Sequence, residues 1–256
     1  LTGEGLDEAL DGVDVAYFLI HSMEGAAAGF AERELRIATI FAEAARRARV
    51  RRVVYLGGLV PQTAPSPHLA SRLAVEELLL DRFPEAVALR ASIVIGARSR
   101  SFRFLVRLLE RVPVTPLPAW RNHRTQPVDE RDVVAMLVAA GTTPHADGGG
   151  LSLDVAGPDV VTYAGLIDRI REEMLIGRPQ IPLPLHATAL AAPVAAAIAG
   201  EDVGLIGPLL TSLGEDRLPR PGHDAAERLG VRTHPLRRAI VRALREWERS
   251  EELAAR

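Results

Sequence analysis

Val13-Asp14-Val15-Ala16-Tyr17-Phe18-Leu19-Ile20 is the stretch on which the reading of this chain turns. The run is nearly continuous in apolar residues and rich in β-branched and aromatic side chains, which suits a strand buried on both faces, as parallel sheets require. Upstream, Leu6 to Leu10 reads as the end of a short helix closed by Gly12. Downstream, a helical pattern runs from about Gly25 to Ala48, with Phe30, Leu35, Ile37, Ala38, Phe41 and Ala45 on its apolar face. Arg46, Arg47 and Arg49 fall at its end, where cations complement the helix dipole; phosphate binding is the alternative for that cluster. A second strand, Arg52 to Leu56, ends in Gly57-Gly58, and Ser66-Pro67 supplies an N-cap and a first-turn proline. The helix that follows runs through His68, Leu69, Arg72, Leu73 and Leu78 to about Arg82, and Ala86 to Ile95 is a third buried strand closed by Gly96. Strand, helix, strand, helix, strand at this spacing predicts a parallel α/β sheet with right-handed crossovers.

After Gly96 the character changes. A basic helix over about Ser101–Arg111 precedes a proline-rich connection, Val112 to Trp120, and Gln126-Pro127-Val128 leads into a helix over about Glu130–Ala140. A strand is expected at Leu151 to Ala156, and Thr162 is the N-cap of a helix over about Tyr163–Leu175. From Ile181 to Leu218 the chain is rich in Ala, Leu and Pro, the pattern of short helices around an apolar surface. The last helix, roughly Pro235 to Ala254, sets Leu236, Ile240, Leu244 and Trp247 on one stripe.

Composition narrows the chemistry. The 256 residues are 48% hydrophobic and 25% charged with a formal net charge of −2, which gives no support to a nucleic-acid binder. There is no cysteine, so disulfides, thiolate nucleophiles and cysteine metal sites are excluded, and a reducing compartment is compatible. There is no lysine either: all 31 basic residues are arginine, so no Schiff base, P-loop lysine or lysine general base exists in the sequence. The seven histidines include no His-x-x-x-His pair, and no metal site is expected. His21-Ser22 with Asp14 or Asp129 lacks the Gly-x-Ser-x-Gly elbow of a hydrolase. The longest apolar stretch, Leu185 to Gly200, contains His186 and Pro193 and is too short to span a bilayer. Arg98, Arg100, Arg103 and Arg107 read as a surface helix or, alternatively, as contacts for an anionic substrate.

Open α/β sheets bind ligands just beyond the carboxyl ends of their strands. Three such ends are legible: His21-Ser22-Met23, Gly57-Gly58-Leu59 and Ala91-Ser92-Ile93-Val94. With Ser66-Pro67-His68-Leu69-Ala70-Ser71-Arg72 and Gln126-Pro127-Val128-Asp129-Glu130-Arg131-Asp132-Val133, they form an ordered series from Val13 to about Ile167. In that series the chain resembles the atypical, extended short-chain dehydrogenase/reductases. Within them it is most similar to the bacterial NAD(P)-binding epimerase/dehydratase group related to the 39 kDa accessory subunit of respiratory complex I. The resemblance implies a Rossmann-like NAD(P)-binding core over residues 1–160, with 97–128 contributing to the substrate side, and a small, mostly helical substrate region over 161–256. It also implies NAD or NADP as cofactor, a cytoplasmic protein, and cofactor contacts at Leu1, His21, Ser22, Met23, Gly57, Gly58, Leu59, Ala91, Ser92, Ile93 and Val94.

Two departures from the family pattern shape the expectation. Its glycine-rich first turn, Gly-x-x-Gly-x-x-Gly, does not occur in this sequence. If Val13–Ile20 is the family's fourth strand, the first three lie upstream of Leu1, the chain is truncated, and this strand becomes an exposed edge. The family's tyrosine and lysine, four residues apart on the helix after the fifth strand, are matched by His68 and Arg72. Imidazole can exchange a proton near neutral pH and guanidinium keeps its charge, so the pair is expected as acid/base and anchor; a helix-start histidine with a solvated arginine is the structural alternative. Tyr17 and Tyr55 fall in strands expected to be buried, and Tyr163 lies far along the chain. The expected function is hydride transfer to or from a carbonyl, enone or quinone-like substrate. The alternative is a non-catalytic NAD(P)H-binding redox sensor or assembly protein. Leu183, Leu185, Leu190, Val194, Ile198, Leu205, Ile206 and Leu209 point to a largely apolar small-molecule substrate.

Overall fold

The computed structural model describes residues 2–20, 29–61, 65–117, 119–144, 149–182 and 214–249. Among the described residues are ten strands: β1 (Val15–Phe18), β2 (Arg52–Gly58), β3 (Val87–Ala91), β4 (Val94–Ile95), β5 (Thr115–Leu117), β6 (Arg124–Thr125), β7 (Val128–Asp129), β8 (Leu151–Val155), β9 (Val161–Thr162) and β10 (Gln180–Pro182). The helices are α1 (Leu6–Ala9), α2 (Phe30–Arg47), α3 (Pro67–Arg82), α4 (Arg100–Arg111), α5 (Glu130–Thr142), α6 (Tyr163–Glu173), α7 (Ala225–Leu229) and α8 (Leu236–Glu248). Among them, none is long and apolar enough to cross a membrane.

The chain divides into two compact units. Unit 1 comprises residues 1–91, 134–155 and 219–231; unit 2 comprises 92–133, 156–218 and 232–256. Unit 1 is built on a four-stranded sheet in the order β1-β2-β3-β8, parallel throughout, with Val54 opposite Val87 and Val87 opposite Leu151. The α/β class and the parallel sheet are therefore as the sequence predicts. The fully buried alanines Ala38, Ala42 and Ala45 give α2 a smooth face, and Phe18, Phe41, Val53, Val75 and Leu79 fill the core beside it. Phe18 lies 4.9 Å from Phe41, centroid to centroid.

One expected strand is divided. Ala86–Ile95 reads as continuous, yet β3 stops at Ala91, and β4 pairs instead with β7, Val94 opposite Val128. The backbone changes partner here: Leu59 N–H donates to Ala91 O (3.0 Å), and Val128 N–H donates to Ile93 O (2.9 Å). A second difference concerns β1, which is covered on one face only. Ala16 and Phe18 are buried while Tyr17 is 41% exposed, followed by exposed Leu19 and Ile20. Tyr17 lies along Gly141, where a Cβ would stand 2.2 Å from its hydroxyl, and that single glycine does not seal the face.

Unit 2 uses short strands in two-stranded pairs, β5 with β10, β4 with β7, β6 with β9. Its core is helical, with Phe102 and Val106 of α4, Ile170 of α6, and Leu236, Ile240 and Trp247 of α8. Arg103 and Arg107, expected on a surface helix, lie over the Trp247 ring at 4.9 and 5.8 Å. The apolar series from Leu183 to Leu209 lies outside the described residues, as do Leu1, His21, Ser22 and Met23.

Candidate functional site

Within unit 1, Gly57, Gly58, Leu59 and Ala91 sit at the carboxyl edge of the parallel sheet. The glycines matter for packing. A Cβ at Gly58 would stand 3.3 Å from Leu69 Cδ2, and one at Gly57 would stand 3.2 Å from the Tyr55 ring. The bare strand end thus lets the first turn of α3 close on it. Ser66 caps that turn by accepting from Leu69 N–H at 3.5 Å, and Pro67 follows with its fixed φ.

His68 and Arg72 both lie on α3, as expected, and their surroundings differ. The half-buried His68 ring is 5.8 Å from that of Phe30 on α2. Arg72 reaches back to β2: its Nη2 donates to Leu56 O at 2.5 Å and its guanidinium carbon lies 5.9 Å from the Tyr55 centroid. Tyr55 returns a hydrogen bond from its hydroxyl to Arg72 O at 3.2 Å. Burial pushes the Tyr55 phenol up to about 12, Arg72 opposes, and Glu34 and Glu76 add to the rise, so the phenol stays protonated at neutral pH. Buried Ser71 donates to Glu34 at 2.5 Å.

A chain of paired charges holds α3 and the far strands together. Glu76 accepts from Arg90 Nε (2.9 Å) and from Ser152 Oγ (2.7 Å), and Arg220 donates to Asp154 at 2.8 Å while also reaching Ser152. The buried carboxylates of Glu76 and Asp154 are each paired with an arginine, so this cluster is read as structural.

Unit 2 holds the remaining expected positions, Ser92, Ile93 and Val94. The Gln126-Pro127-Val128 motif fixes them: Val128 pairs with this segment, and Gln126 Nε2 donates to Gly157 O at 2.6 Å. A Cβ at Gly157 would stand 2.2 Å from Pro127 O, so the motif needs glycine opposite it. Ser92 Oγ lies 3.3 Å from Thr125 Oγ1. The neighbourhood of Thr125 includes Tyr163 and Arg217, which sequence reasoning did not connect to it. The Tyr163 phenol is pushed up to about 12 by burial, Arg217 opposing and the Thr125 hydroxyl also pulling it down. Burial in turn lowers the Arg217 pKa. The Tyr163 ring meets Trp120 edge-on at 5.4 Å. Only Thr162 as an N-cap signals Tyr163 locally, and that cap is present, accepting from Gly165 N–H at 3.0 Å.

This parallel sheet flanked by helices has the fold found in NAD-dependent epimerases and short-chain dehydrogenase/reductases. Comparison with known proteins agrees. A nucleoside-diphosphate-sugar epimerase from Staphylococcus aureus superposes with a TM-score of 0.72 at 14% identity, over 93% of this chain and 80% of that one. The triphenylmethane reductase of Citrobacter sp. gives 0.68 at 16% identity, over 95% of this chain and 80% of that one. Other neighbours of this fold include complexes with NAD or NADPH. In sequence, the chain is 31% identical over 134 residues to the Arabidopsis thaliana protein NADH dehydrogenase (ubiquinone) 1 alpha subcomplex subunit 9, mitochondrial. That match takes in 51% of this chain and 33% of the relative, so it spans about a third of that protein's length. No protein-family profile matches the chain.

Proposed function

We propose that this chain serves an NAD(P)-dependent, oxidoreductase-like function in which hydride moves to or from a carbonyl, enone or quinone-like substrate. The observation that carries this reading is the position of His68, in the first turn of α3, which closes on the side-chain-free end of β2. These residues fit the nicotinamide half of NAD or NADP. Gly57 and Gly58 present no side chain at the strand end, and a Cβ at Gly58 would push against the turn that carries His68. When bound, the cofactor supplies hydride exchange at its nicotinamide ring. Gly57, Gly58, Leu59 and Ala91, all in unit 1, would line the ring's approach. His68 would hold or release the substrate proton, a task closed to Tyr55 by its raised pKa and its bond to Arg72 O. A largely apolar substrate belongs to the same proposal.

A second reading, a non-catalytic NAD(P)H-binding sensor or assembly protein, is favoured by Arg72, whose guanidinium is tied to Leu56 O. The sequence match to a respiratory-chain subunit supports it as well. The test measures NAD(P)H binding by calorimetry beside turnover on a panel of carbonyls, enones and quinones. Under the first reading His68→Ala lowers turnover about 10²–10⁴-fold and leaves cofactor affinity nearly unchanged. Binding without turnover of any panel member establishes the second reading, and turnover unaltered in His68→Ala removes the acid/base role.

A further inference from the structure

The last helix carries a pattern that the oxidoreductase reading does not use. Arg238, Arg242, Arg245 and Arg249 recur at i, i+4, i+7 and i+11, which aligns them in one stripe along α8 and its C-cap. The opposite face of α8 is spent on the core through Leu236, Ile240, Leu244 and Trp247. The stripe lines a groove of about 650 Å³, within unit 2, to which Arg131 of α5 also contributes.

Two of these guanidiniums are set in place from below. Buried Asp129 takes Arg131 Nη2 at 2.6 Å and Nε at 3.0 Å, and Arg242 Nη1 lies 3.5 Å away. Burial alone would raise the Asp129 pKa; the bonds from Arg131 and the Arg242 charge outweigh it and hold the carboxyl below its usual range. Glu246, 3.0 Å from Arg242, is the carboxylate in the groove lining. Arg238, Arg245 and Arg249 have no carboxylate partner among the described residues. Like charges four residues apart work against a helix, and the helix dipole accounts for Arg245 and Arg249 at the C-terminal end but not for Arg238 or the converging Arg131.

We infer that this groove binds a compact polyphosphate, two or more linked phosphates such as a diphosphate or triphosphate chain. Guanidinium forks match phosphate oxygens two at a time, and a row of them suits successive phosphates. The groove, more open than enclosed, has the volume of a small-molecule site. The site lies in unit 2 and does not depend on the proposed oxidoreductase chemistry.

Calorimetric titration of the full chain with sodium tripolyphosphate at fixed ionic strength tests this. Saturable binding to one site is expected, weakened at least about tenfold in the Arg238→Gln/Arg245→Gln double variant. The charge-matched control Arg36→Gln/Arg228→Gln, at exposed positions of α2 and α7 in unit 1, should leave affinity within about twofold. An equal loss in the control, equally tight binding of orthophosphate, or binding of anionic lipid vesicles or duplex DNA without any of tripolyphosphate would each overturn the assignment.

Discussion

Each unit closes a helix end with an arginine, and the two closures differ in depth. In unit 1, Arg52 on β2 is 5% exposed; its Nη1 donates to the carbonyls of Ala140, Gly141 and Thr143 at the end of α5, and Nη2 pairs with Glu85 at 3.1 Å. In unit 2, half-buried Arg178 donates through Nη1 to Leu109, Glu110 and Val112 at the end of α4, at 2.5–3.0 Å. Both satisfy carbonyls that a helix leaves without partners. The first fastens a helix to a strand of a continuous sheet. The second fastens a helix to an irregular segment just before β10, in a unit whose strands are two or three residues long. Unit 1 therefore draws its order from ladder and core, whereas unit 2 leans on side chains that grip backbone.

The contrast can be broken by truncating each arginine. Arg52→Ala should destabilise unit 1 by on the order of 3 kcal/mol, because the buried carbonyls of Ala140 and Gly141, together with Thr143 O and the Glu85 carboxylate, lose a charged donor. Arg178→Ala should cost about 1–2 kcal/mol, since water can reach its site. Hydrogen exchange read separately over the two units checks both; equal losses would show that depth of burial does not set the difference.

A smaller effect should appear in acid. Asp129 has a folded pKa below its unfolded value, so its contribution is present above the unfolded value and is lost as pH falls through the folded one. Stability of unit 2 should drop below about pH 4, and Asp129→Asn should flatten that limb of the profile. Thermal melts of both proteins between neutral pH and pH 3 provide the measurement; identical acid limbs would exclude the Asp129 contribution.

The smallest expected change in folding stability, within about 0.5 kcal/mol, is that of Leu19→Glu/Ile20→Glu beside β1. Both residues are exposed, so the fold should tolerate the change while self-association falls, as light scattering across a concentration series would show. Unchanged scattering would acquit this edge.

Much of unit 1 was legible because its strands are apolar runs closed by glycine and its helices have local caps. β2, α3 and β8 fall within a residue or two of the positions that the sequence predicts. The break after Ala91 was not legible. It is set by Val128 competing for the backbone at Ile93, and nothing in Ala86–Ile95 announces that distant partner. The same holds for the candidate site. The spacing of His68 and Arg72 placed them on one helix, but the bond from Arg72 to Leu56 O depends on how α3 lies against β2. The association of Thr125 with Tyr163 and Arg217 joins three separate segments, and periodicity carries no record of such meetings.

The break after Ala91 is also the first of five points at which the chain passes from one unit to the other. Neither unit is a contiguous piece of polypeptide, which has a consequence for synthesis. Once Ala91 has left the ribosome, β1, β2 and β3 can pair, but β3 has one edge open until Leu151–Val155 arrives. Arg220, the partner of Asp154 on that last strand, comes later still. A nascent chain thus carries an unpaired apolar sheet edge while the residues from Ser92 to Val155 are made, the interval in which an edge-binding chaperone would have the most to protect.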